Sequence, residues 1–181
     1  MSAKMENKKI EKGKDRIKRF KWIWAWDFDK QELWLNEMAE AGWSLYKVGC
    51  CLYYFERTAP EEYIVRLEMR DRDDAYVSFL EETGAEYIGR VTKWMYFRRK
   101  SELGSFELFS DIDSRIAHLG RIAALLRVLA YMNIFLGIFN SLGYNARFAW
   151  MNLAVAYLLM YGIGRLTGKK DDLEIERKLR E

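Results

Sequence analysis

One histidine, His118, and two adjacent cysteines, Cys50 and Cys51, are the chain's whole stock of imidazole and thiol. A Ser-His-acid or Cys-His nucleophile would have to use His118. That residue falls in "SFELFSDIDSRIAHLGR", just before a long apolar run, where a polar helix position is the expected role. Cys50 and Cys51 lack the CxxC spacing of a zinc site and have no second pair. They read as small strand residues in a reducing compartment, with thiol sensing as the alternative. Asp111 with Asp113, and Asp171 with Asp172, are carboxylate pairs on polar segments, where caps and solvated faces are the usual roles. GxGxxG, Walker and HExxH patterns are missing from the sequence. The expectation is therefore a non-enzyme, with no catalytic residue, no metal site and no cofactor.

Binding chemistry is better represented. In "RFKWIWAWDF", residues 19–28, Trp22, Trp24 and Trp26 alternate with Phe20 in phase. Ahead of them, residues 1–21 hold nine basic side chains against three acidic ones. A basic leader of this kind, placed at 1–19, favours an anionic partner such as lipid headgroups or nucleic acid, or is simply solvated.

The elements that would position these residues come from an internal repeat. Shifted by 42 residues, Leu35 falls on Val77, Met38 on Leu80, Gly42 on Gly84, Tyr54 on Tyr96, Phe55 on Phe97 and Arg57 on Arg99. Each half reads as strand, helix, strand. "FKWIWAW" alternates like a strand, and "DKQELWLNEMAEAG" has helical spacing with Asp29 as N-cap and Gly42 as the stop. "WSLYKVGCCLYYFER" reads as one strand bent at Gly49, and "YIGRVTKWMYFRR" as the last strand. The resulting α+β domain over 20–100 is a ferredoxin-like βαββαβ sheet with two helices on one face.

Within that scheme Tyr63, Val65, Leu67 and Met69 should pack on the helices. The 42-residue shift matches Trp22, Trp24 and Trp26 to Ile64, Arg66 and Glu68, which puts the tryptophans on the open face. The last strand adds Trp94 and Tyr96, or else Met95 and Phe97. Trp22, Trp24, Trp26, Trp94 and Tyr96 are the expected binding platform. Such a face needs a cover. The amphipathic connector at 101–121, with Phe106, Leu108, Phe109, Ile112, Ile116 and Leu119, could supply it. So could a second copy or a partner. Stacked RNA bases would suit exposed rings, but the RNA-recognition signature is missing and "EEYIVRLEMRDRDD" is acidic, so nucleic acid is not expected.

Residues 128–146 and 148–164 carry no charge. Each would reach about 25–30 Å as a helix, one hydrocarbon core. Gly143, Tyr144 and Asn145 read as a turn, and 122–166 as a transmembrane hairpin followed by a charged tail at 167–181. Arg121 and Arg127 precede the first span; Arg165, Lys169 and Lys170 follow the second; Arg147 alone marks the connection. The positive-inside rule then puts both termini in the cytosol. Asn133, Asn140 and Asn152 lie within the spans as interhelical hydrogen-bonding groups. No Asp, Glu or Lys sits mid-span, which argues against a proton or ion carrier.

"WDFDKQELWLNEMAEAGWSLYKV", "YYFERTAPEEYIVRL", "EETGAEYIGRVTKWMYFRRK" and "FELFSDIDSRIAHLGRI" together resemble the bacterial family called domain of unknown function 2812, over about residues 20–125. The resemblance implies a bacterial protein whose gene often neighbours a PadR-type transcriptional regulator. It brings no catalytic residues. The expected role is a membrane-anchored cytosolic sensing or regulatory binding domain at the bacterial inner membrane. Its partners would be the bilayer and another protein or a second copy. The alternatives are a structural or assembly subunit of a membrane complex such as a transporter, and a small-molecule enzyme using a ferredoxin-like pocket.

Overall fold

The structure, a computed structural model, describes residues 15–109, 111–143 and 146–180. The chain divides into two compact units, one ending at Leu108 and the other starting at Phe109.

The first unit runs β1 (Arg16–Phe20), α1 (Phe28–Glu40), β2 (Trp43–Gly49), β3 (Leu52–Arg57), β4 (Tyr63–Met69), α2 (Asp74–Glu82), β5 (Ala85–Val91) and β6 (Trp94–Lys100). The strands form two antiparallel three-stranded sheets, ordered β1-β3-β2 and β4-β6-β5. The fold is therefore α+β, but its element order is strand-helix-strand-strand taken twice and not βαββαβ. The difference arises at two tight turns. Gly49 pairs with Leu52, leaving Cys50 and Cys51 as a two-residue turn, and Val91 pairs with Trp94 around Thr92 and Lys93. Each turn holds one residue in the left-handed region, Cys51 at φ 55° and Thr92 at φ 54°. Neither turn carries the Gly or Asn that normally announces a hairpin. Each apparent long strand is thus two strands.

The first strand is also displaced from the expected "FKWIWAW". β3 begins at Leu52, and its ladder with β1 ends at the Phe20–Leu52 pair. Beyond Phe20 the chain has one further backbone bond to this hairpin, from the Lys21 N–H to the Cys51 carbonyl. Ile17 faces Phe55, whereas the residue facing Phe97 is Arg66. First strands are thus related by 49 positions, while β2 and β5 are related by 42. The two offsets differ by seven, an odd number, so side chains assigned by the 42-residue shift land on the opposite face.

Helix ends follow the sequence signals closely. α1 stops where Gly42 adopts φ 79°, and its ideal Cβ would sit 3.0 Å from the Thr58 carbonyl. α2 stops before Gly84 at φ 87° and starts at Asp73, whose carboxylate accepts from the N–H groups of Ala75 and Tyr76. The start of α1 differs: a 3-10 turn over Ala25–Asp27 leads into it, so Asp29 lies inside the helix and is not its cap.

Two cores result. Leu35 of α1 joins Ile17, Leu45, Tyr53 and Phe55 of the first sheet and Val65, Leu67 and Tyr96 of the second, so residues of both sheets share one cluster with this helix. On the other side of β6, Met95 and Phe97 pack with Val77 and Leu80 of α2 and with Phe106. Phe106 is therefore spent on the second sheet and is not free for the cover that the 101–121 connector could have given the tryptophans. Arg98 ties the sheets together: it reaches Glu86 at 2.7 Å, Glu56 at 3.1 Å and the Leu45 carbonyl at 3.1 Å.

The second unit is α3 (Ile112–Leu142) and α4 (Ala146–Arg180). They pack antiparallel: Arg177 pairs with Asp113 at 2.9 Å, and Gly137 lies against Leu153. Asp111 caps α3 through the Ser114 N–H at 2.6 Å. α3 is long and apolar enough to cross a membrane by length and composition, and among the described residues it alone is. Tyr144, Asn145 and the leader before residue 15 lie outside the described residues.

Candidate binding surface

Between β1 and α1 the chain has seven residues in which to leave a sheet edge and enter a helix. Trp26 solves the inner half of that problem. It is 3% exposed, and at its level the Asp27 N–H donates to the Trp24 carbonyl at 2.9 Å to begin the helical turn. The Trp24 ring then lies on Trp26 at 4.9 Å and 5° between planes, and Trp22 meets Trp24 edge-on at 5.3 Å and 83°. Both geometries are favoured for aromatic pairs. The result is a graded row: Trp26 anchored, Trp24 at 40% exposure and Trp22 at 59%, with Phe20 at 62% beside them. Rings held this way present apolar area with little rotamer freedom left to lose on binding.

Cations precede the row in the chain and cap rings of the neighbouring elements. Lys18 and Phe20 share the face of β1 opposite to Ile17. Lys18 and Lys47 approach the Tyr54 ring at 5.6 and 5.4 Å, Arg16 lies 4.5 Å from the Tyr46 ring, and Lys21 lies 4.2 Å from the Trp34 ring. Burial against that ring pulls the Lys21 ammonium below its usual range, against the opposing pull of Glu37. From Arg16 to Trp26 the chain contains no carboxylate. The first one after it, Asp27, is buried and paired with Lys30 at 3.0 Å.

The five expected platform residues do not lie on one face. Trp22 and Trp24 are exposed, but in the β1–α1 connection and not in a strand. Trp26 is core. Trp94 is half-buried, 5.7 Å from Phe28. Tyr96 is buried, and the Gln31 side-chain amide donates to its hydroxyl at 2.8 Å and to that of Tyr53 at 2.7 Å. Burial pushes the Tyr96 phenol up to about 12 and the Tyr53 phenol higher still. What the sequence reading missed is the cation-capped sheet face, for which the alternation of Arg16, Lys18 and Phe20 was the available signal.

Other chemistry-bearing residues have structural roles. His118 is buried against the Phe109 ring at 4.8 Å, not on a polar face. Cys50 is exposed and Cys51 half-buried, both as free thiols, and burial pushes the Cys51 thiol up, away from the reactive thiolate. Asp111 and Asp113 are spent on a cap and an ion pair. Among the described residues no three His, Cys, Asp or Glu side chains converge as metal ligands. A cleft of about 490 Å³ is lined by Ala59, Pro60, Glu61, Glu62, Lys100, Ser101 and Glu102. It is polar and holds no nucleophile-base pair.

A family model described as "protein of unknown function (DUF2812)" matches residues 27–131, more than half of the chain. The chain belongs to that family. The matched segment opens at the buried Asp27 and closes within α3, so Phe20, Trp22 and Trp24 precede it, and α4 lies beyond it. No curated protein and no solved structure matches the chain.

Proposed function

We propose that this DUF2812 protein is a membrane-anchored, non-catalytic binding domain with a regulatory role. In this reading α3 and α4 cross the bacterial inner membrane as a two-span hairpin, with both termini and the sheet unit on the cytosolic side. The sheet unit engages its partner through the Trp22–Trp24 row. A PadR-type transcriptional regulator is the candidate downstream component, on the family resemblance alone.

The observation that carries the membrane anchor is the exposed belt of the helical unit. Only 28% of the most apolar window of α3 is buried, whereas the core helix of a water-soluble unit is mostly buried. Tyr131, Phe135, Ile138 and Phe139 of α3 are exposed, as are Trp150, Met151, Tyr157 and Tyr161 of α4. A continuous apolar surface of that kind requires lipid or protein around it. Gly137 supports the pairing of the spans, since its ideal Cβ would come within 3.1 Å of Leu153. Small residues let membrane helices approach this closely.

The test is a photoreactive amino acid at Trp24 in the full-length protein, activated in its native membrane. Cross-links to another protein, a lipid or a small molecule support a working surface. A cross-link confined to residues 106–119 of the same chain overturns it.

A further inference from the structure

We propose that Phe20, Trp22 and Trp24 form a wedge that docks into the headgroup region of an anionic bilayer leaflet. The inference rests on the membrane-anchored reading above and names the partner of its aromatic row.

Three observations select lipid over other occupants. The first is the form of the row. Its tip is exposed aromatic area, while its base is locked by the stacked, buried Trp26. Indoles favour the boundary between acyl chains and headgroups, where an apolar ring and a polar N–H are both accommodated. The second is charge. Lys18, Arg19 and Lys21 adjoin the wedge residues in sequence, Arg16 and Lys47 lie in the same sheet as Lys18, and no carboxylate lies between residues 16 and 26. Glu56 is buried beside Arg98 and also reaches Arg16 at 4.0 Å, and Glu37 acts on Lys21, so the net positive charge rests chiefly on Lys18, Arg19 and Lys47. Basic residues interleaved with aromatics make up the surface that binds anionic lipid. The third is tethering. The same chain carries a helix able to cross a membrane, so even a weak surface contact is intramolecular in effect and needs little intrinsic affinity.

The experiment reconstitutes the full-length protein in nanodiscs of phosphatidylcholine, with or without phosphatidylglycerol, using acyl-brominated lipid as quencher. Wild type is compared with the Trp22→Phe/Trp24→Phe variant. That variant keeps the wedge apolar and removes its fluorescence, so the difference between the two isolates the signal of Trp22 and Trp24. Expected is quenching of that difference signal by brominated lipid, about twofold or more stronger in the anionic discs than in the neutral ones. It should fall as salt is raised and be lost in Lys18→Glu/Lys21→Glu. Salt titration of the wild type keeps the test valid if the charge-reversed variant does not fold. Equal quenching in neutral and anionic discs, or none in either, overturns the inference. So does a Trp24 photo-cross-link to protein alone, which leaves the broader binding reading standing. Trp150 of α4 serves as the internal reference: absence of quenching in the double variant would mean that the hairpin is not in the bilayer, and would overturn the membrane reading itself.

Discussion

The side-chain amide of Asn36 grips the backbone of Val65 from both sides, accepting from its N–H at 2.8 Å and donating to its carbonyl at 3.0 Å. Two residues along the strand, Glu32 accepts from the Leu67 N–H at 3.2 Å. β4 is the outer strand of its sheet, so these are groups that no neighbouring strand satisfies. α1 therefore closes an edge that would otherwise be a template for association. It does so from the first half of the chain onto the second.

Asn36→Ala should leave the Val65 N–H without a partner in a half-buried setting, while the Val65 carbonyl keeps the Arg66 guanidinium at 3.1 Å. A loss of about 1–2 kcal/mol in unfolding free energy is expected. Hydrogen exchange read by mass spectrometry would check it, with the increase concentrated in the peptide covering β4. Uniform acceleration across both sheets would instead mean that the clamp is no more than part of the global core.

The phenols of Tyr53 and Tyr96 make stability depend on alkaline pH. Burial raises the Tyr96 phenol to about 12 in the folded protein, against 10.0 for an ordinary tyrosine. A raised folded value means the native state holds its proton more tightly than the unfolded chain. The stabilisation is whole below pH 10 and drains away as pH rises through 12, amounting to about 2–3 kcal/mol for Tyr96. Tyr53 shifts in the same direction for the same reason. After the exposed phenols ionise near pH 10, a later rise in tyrosinate absorbance should coincide with the change in far-ultraviolet circular dichroism as pH approaches 12. Tyr96→Phe should make that limb shallower, with Tyr53 still contributing, while costing about 1–2 kcal/mol at neutral pH, because one Gln31 N–H loses its acceptor.

Much of this architecture is legible in the residues, and the failures have a common form. Both helices of the sheet unit end at glycines that adopt positive φ, and a glycine after a periodic run is a strong local signal. Val65 and Leu67 were expected inside, and they are. The hairpins at Cys50–Cys51 and Thr92–Lys93 are not legible, because a turn built from cysteines or from threonine and lysine carries no local preference for turning. Its conformation is imposed by the pairing of the flanking strands. The tryptophan row misleads for the opposite reason. "WIWAW" has strand periodicity, but β3 is too short to pair with it, and no local pattern encodes the length of a partner strand. The roles of Gln31 and Arg98 are not legible locally, since partners 22 and 65 residues away from Gln31, or 42 residues from Arg98, leave no trace in local spacing.

Trp26 and Trp22 should separate sharply on substitution although they are four residues apart. Trp26→Ala removes a buried indole and the platform on which Trp24 rests, and a loss of about 3–5 kcal/mol is expected. Trp22→Ala deletes an exposed ring and should stay within about 0.5 kcal/mol. Chemical denaturation of both variants in the same mild detergent checks the contrast. Equal losses would mean that the row is part of the core along its whole length, which would remove the reason to treat its tip as a binding surface.

The exposed belt of α3 and α4 predicts a specific topology. If α3 and α4 both span as proposed, Arg121 and Arg127 at one end of the first span, and Arg165, Lys169 and Lys170 after the second, should put the connection near Gly143 on the outer side. Gly143→Cys, in a background where Cys50 and Cys51 are serine, should react with a membrane-impermeant maleimide added to cells with a permeabilised outer envelope. A cysteine at Ser114, near the start of α3, should stay unlabelled until the inner membrane is opened. Labelling of both before opening would mean that the hairpin does not cross the bilayer. In that case the belt must be buried against another protein. Labelling at Ser114 only would reverse the orientation and place the sheet unit outside, where its cationic face would meet the other leaflet.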